Sequence, residues 1–171
     1  MKNFLALSVA AVALALLSNL ALAQTCASPT PLTSAQNLSG NTCGGDSTIT
    51  NFCGGVQPTG PSNVYSYVAG ASVSGNISVT PTNPFNVALG VVSGGANCNA
   101  ALSSNCNGVS DSAGDGAANG TETFALSNTS TSGTTYYLIV TSLSGTAANQ
   151  CGAYNLSMGT LPVTLQKFSV K

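Results

Sequence analysis

Asp111, Asp115, Asn119 and Glu122, in the stretch DSAGDGAANGTE, form the only cluster of acidic and amide side chains whose spacing fits a known ligand chemistry. Counted as a twelve-residue calcium loop they fall at positions 1, 5, 9 and 12, with Gly116 at the sharp turn of position 6. Hard oxygen ligands in that order suit Ca²⁺. Ala113 stands at position 3, where it cannot ligate, and no helical pattern flanks the loop. The competing reading is a solvated Gly-rich turn with scattered acids. A glycosidase pair fits less well, because such carboxylates converge on a cleft from separate elements. Ser and Thr are abundant, but a nucleophilic hydroxyl needs a base, and the chain has no His and no Arg. The residue types point to a non-enzymatic protein with calcium as its one candidate cofactor.

The rest of the chain must position these few groups with little charge. Three Lys face four acids in 171 residues. Lys2, the apolar run Phe4 to Leu17 and the small-residue site Ala21-Leu22-Ala23 have the anatomy of a secretory signal peptide spanning 1–23. Ser8, Ser18 and Asn19 keep the clean apolar span below the roughly 20 residues a bilayer requires, which favours cleavage over anchoring. The Thr25 that precedes Cys26 is not the small residue expected before a lipidated Cys. Removing 23 of the 171 residues leaves 148, with two Lys against four acids and a side-chain net charge of −2. No basic patch remains to displace counterions, so nucleic acid and anionic membrane surfaces are excluded as partners. The expectation is an exported protein, secreted, surface-bound or periplasmic, that inserts in no membrane once cleaved.

Export also accounts for six cysteines, an even number that reads as three disulfides. Zinc is disfavoured, because no C-x-x-C pair and no His is present. Six cysteines allow 15 pairings. Proximity in the polar segment NCNAALSSNC favours Cys98–Cys106, which leaves Cys43–Cys53 and Cys26–Cys151 as the expected remainder.

The hydrophobic period of the mature chain is two. Val73, Ile77 and Val79 alternate with Ser and Asn, and Phe85, Val87, Leu89 and Val91 repeat the pattern. Tyr65 with Tyr67, Phe124 with Leu126, and Tyr154, Leu156 and Met158 mark further strands. Tyr136 to Val140 is apolar on both faces, as expected of a central strand covered on both sides. Polar turns separate these runs, Ser104–Gly120 reads as one long Gly/Ser/Asn-rich loop, and nothing after residue 23 has a helical period. The fold predicted is an all-β, antiparallel, disulfide-stabilised sandwich without helices. Tyr65, Tyr67, Tyr136, Tyr137 and Tyr154 could line a carbohydrate-stacking face, but alternation and the absence of Trp favour a packing role. The five Asn-x-Ser/Thr triplets, at Asn37, Asn76, Asn119, Asn128 and Asn155, follow from composition.

The order VYSYVAGASVSGNISVTP, FNVALGVV, a polar acidic loop, TETFAL, GTTYYLIV and CGAYNLSM resembles the bacterial pre-peptidase C-terminal domain. Gly133 with Tyr136, Tyr137 and Val140, and Gly152 with Tyr154 and Leu156, stand where that family has its two aromatic strands. The resemblance covers roughly residues 63–160 and implies a jelly-roll-like sandwich. It also implies a role beside secreted peptidases, in secretion or substrate contact. Phe85-Asn86-Val87 stands where that family usually carries acids, and the chain holds no peptidase segment. The organisation expected is a signal peptide (1–23), a Cys-rich segment (24–62), the sandwich core (63–160) and a tail (161–171). In that tail Val163 and Leu165, then Phe168 and Val170, alternate on opposite parity, which suits a bulged strand packed in cis or donated to a neighbour. Three roles follow: a module that binds a cell-surface or matrix component, a subunit that self-assembles through its last strand, and an accessory domain of a secreted enzyme.

Overall fold

The computed structural model describes residues 24–111, 120–143 and 150–160. Nine strands, β1 (Thr30–Leu32), β2 (Asn37–Asn41), β3 (Asn63–Ala69), β4 (Val73–Pro81), β5 (Ala88–Ser93), β6 (Cys106–Ser110), β7 (Glu122–Asn128), β8 (Thr134–Thr141) and β9 (Ala153–Met158), form two sheets among the described residues. One has the order β1-β3-β8-β5-β6 and the other β2-β9-β4-β7. Every neighbouring pair is antiparallel except β1 with β3. The alternation read from the sequence is what closes the sandwich. Ile77 and Val79 from β4, Tyr65 and Tyr67 from β3, Leu138 and Val140 from β8, and Tyr154 and Leu156 from β9 meet in one core between the sheets.

β8 lies in the middle of the five-stranded sheet, as its two apolar faces require. Ile139 points away from the main core and joins Val64 and Val92 on the outer side. That side is covered by a third layer built from Cys26, Ile49 and Phe52 together with Cys98 and Ala101 of a short helix, α1 (Cys98–Ser104). Phe52 lies so close to the sheet that a Cβ on Gly90 would collide with its ring. Only a residue without a side chain fits beneath that ring.

Three expectations are corrected here. First, the mature chain is not free of helix. α1 starts at Asn97, whose side chain accepts a hydrogen bond from the Ala100 N–H at 3.0 Å, and a 3-10 turn occupies Thr42–Gly44. Second, the expected loop from residue 104 begins as strand, because β6 pairs with β5 at the sheet edge. Phe85 and Val87 do reach the core, but pairing of β5 starts only at Ala88, opposite Thr141. Upstream, residues 82–83 bond the start of β9: Thr82 N–H donates to the Ala153 carbonyl and Ala153 N–H to Asn83 Oδ1.

Third, none of the expected cysteine pairs forms. The bonds are Cys26–Cys98, Cys43–Cys151 and Cys53–Cys106, and no cysteine is free. Cys98 and Cys106 are held apart because the helix between them spans about 10 Å, beyond the roughly 7 Å Cα limit of a disulfide. Cys98 instead turns inward beneath Cys26, whose segment is laid over β3 by the bond from Val64 N–H to the Gln24 carbonyl. Cys43 lies in the 3-10 turn that bonds Gly152 through Thr42, beside Cys151. Cys53 is left-handed (φ 50°) in the tight Phe52–Val56 turn, near the Gly108 carbonyl of β6 and so near Cys106. Each bond ties residues 24–62 to the sandwich core.

Candidate functional site

Of the four residues expected to bind calcium, Asp115 and Asn119 lie outside the described residues. Asp111 is exposed at the end of β6, whereas Glu122 opens β7 and is fully buried. Its Oε2 accepts the Ser110 hydroxyl at 2.7 Å, and Ser110 Oγ in turn accepts the Thr123 N–H at 3.2 Å. Glu122 therefore ties β6 of one sheet to β7 of the other, at the edge where they meet. Among the described residues, this bond is how Glu122 joins the two sheets.

Asp46 is a second structural carboxylate, 7% exposed. It accepts bonds from Thr48 Oγ1 at 2.6 Å, Thr48 N–H at 2.8 Å and Cys26 N–H at 3.3 Å. Burial pushes its pKa up, but the bonds from Thr48 and Cys26 together outweigh this and hold it below the usual carboxylate value. The tyrosines are also internal. Tyr65 and Tyr154 share a 2.6 Å hydroxyl contact, and Asn63 Nδ2 donates to Tyr154 at 2.7 Å. Burial raises the pKa of both phenols, most strongly that of Tyr154. Tyr67 and Tyr136 are buried as well, and Tyr137 packs against the outer layer, so no stacking face forms from these five.

What the four-stranded sheet shows to solvent is different in kind. Its outward positions carry only small uncharged residues, set in rows across the strands. One row runs Ser39, Asn155, Thr80, Thr121; the next runs Asn37, Ser157, Ser78, Thr123. Ser39 Oγ donates to Asn155 Oδ1 at 2.8 Å, Thr80 and Thr121 share a 2.8 Å hydroxyl contact, and Ser78 and Thr123 a 3.0 Å one. These bonds fix the side chains against one another. A shallow depression of about 290 Å³ opens over β2 and β9, lined by Asn37, Ser39, Asn155 and Ser157, with Leu38 and Leu156 completing it.

No protein-family model and no curated protein matches the sequence. Among solved structures, the pre-peptidase C-terminal domain of a collagenase from Bacillus anthracis is similar, at 17% identity and a TM-score of 0.40. The similarity covers 75% of this chain and 91% of that one.

A second cavity, a groove of about 430 Å³, lies on the disulfide-laced side between Ser47–Thr50 and Gln57–Pro61. Ser47, Thr50, Gln57, Thr59 and Gln150 line it together with Ile49, Pro58, Gly60 and Pro61, and it holds no ionisable side chain. Among the described residues no group of three or more acids, cysteines or histidines is placed to hold a metal. The polar rows were printed in the sequence as the Ser, Thr and Asn of each alternating strand. What alternation could not give is which strands are neighbours, and so which residues form a row.

Proposed function

We propose that this protein is a non-enzymatic, exported binding module whose target is a cell-surface or extracellular matrix component. The observation that carries the reading is the division of labour among polar groups. Asp46 and Glu122 are buried in structural bonds, and so are the hydroxyls of Tyr65 and Tyr154. The exposed rows on the four-stranded sheet are neutral and pre-ordered, suited to contact and not to proton transfer. Three closed disulfides fit an oxidising compartment. Among the described residues no helix is long and apolar enough to cross a membrane.

The test is co-sedimentation of the purified protein with insoluble surface and matrix fractions over a range of salt. Retention should change little with ionic strength, because the exposed rows carry no charge to be screened. Turnover of any component of the fraction, or retention that disappears in moderate salt, contradicts the reading.

A further inference from the structure

We infer that the outward face of the four-stranded sheet binds an extended, uncharged polysaccharide laid across the strands; this rests on the binding-module reading and names its ligand class. The two rows are four residues long, Ser39-Asn155-Thr80-Thr121 and Asn37-Ser157-Ser78-Thr123, and carry no ionisable group. A charged ligand would lose its hydration there without gaining a counter-charge. A protein partner would normally bury Trp, Tyr or Arg anchors, and this face has no aromatic or large apolar side chain standing outward. A neutral polyol matches it, because every Ser, Thr and Asn in the rows both donates and accepts, as a sugar hydroxyl does.

Geometry sets the direction of the chain. Neighbouring strands repeat at ~4.8 Å, so a row of four spans ~14 Å and presents one polar group per strand. That repeat is close to the advance of one pyranose ring in an extended glycan, so successive sugars meet successive strands. The row-to-row distance is two residues along a strand, ~6.7 Å, which lets both edges of a ring be contacted. Ser39 holds Asn155 by its Oδ1, which leaves the Asn155 amide hydrogens for the ligand. Asn37 and Ser157 make no side-chain hydrogen bond among the described residues and face the depression beside it. The first sugar sits in that depression, and the chain continues over Ser78–Thr80 to Thr121–Thr123.

The experiment is retention on insoluble neutral glucan and chitin, with competition by soluble neutral oligosaccharides, on the full mature chain. Ser157→Arg fills the depression and should abolish retention, and Asn155→Ala should weaken it about tenfold, the loss expected for one or two ligand hydrogen bonds. Both sites are exposed strand positions, so an unchanged melting curve confirms that each variant is folded. Gln57→Arg, in the groove on the opposite side, should bind as wild type. Folded Ser157→Arg that binds normally, or Gln57→Arg that does not, overturns the inference. Retention on crude matrix that neutral glycans neither reproduce nor compete also overturns it while leaving the binding-module reading intact. Failure to bind any surface or matrix fraction defeats both.

Discussion

The two outer faces of the sandwich differ in kind. On the five-stranded sheet Val64, Val92 and Ile139 point outward, and Cys26, Ile49, Phe52 and α1 cover that side, tied down by the Cys26–Cys98 and Cys53–Cys106 disulfides. On the four-stranded sheet the equivalent positions are Ser78, Asn155 and Ser157, and among the described residues nothing covers them. Apolar outward residues create a demand for a lid. Neutral polar ones remove that demand. On the reading proposed above, one face serves stability and the other contact.

The largest test of that contrast is on the covered face. Phe52 is fully buried between the N-terminal layer and Gly90. Phe52→Ala should cost about 3–5 kcal/mol in chemical denaturation, against less than about 0.5 kcal/mol for Ser74→Ala on the open face. Equal costs would mean that the N-terminal layer is not part of the cooperative fold. A smaller effect is expected at Asp46, which accepts bonds from Thr48 and from Cys26 in the same layer. Its folded pKa lies below the unfolded value, so its contribution is present above the unfolded carboxylate pKa and is lost as pH falls through the folded one. Melting temperature should therefore decline more steeply below about pH 4 in the wild type than in Asp46→Asn. Parallel acid profiles would show that the carboxylate holds nothing in place.

The sandwich was legible in the sequence because alternation survives in each core strand: Ile77 and Val79 in β4, Tyr154 and Leu156 in β9. The central place of β8 was legible for the same reason, since Ile139 breaks the alternation only where a second layer must be met. The lid was not. α1 is capped by the Asn97 side chain, but at seven residues it is too short to show a helical period. That one missed element also misplaced Cys98 and, with it, all three pairings. Sequence proximity favoured Cys98–Cys106, whereas pairing is decided by which backbone segments the fold stacks. The bond between Glu122 and Ser110 was not legible, because the two residues lie on different sheets.

The central claim, that the open face is the one that binds, is tested most directly by mapping backbone amide shifts by NMR during titration with a soluble neutral glycan oligomer. The account predicts shifts at Ser39, Asn155, Ser157, Ser78 and Thr123, along the two rows, with Ile49, Phe52 and Gln57–Gly60 unmoved. Shifts centred on the Ile49–Gly60 side, with the rows silent, would contradict it.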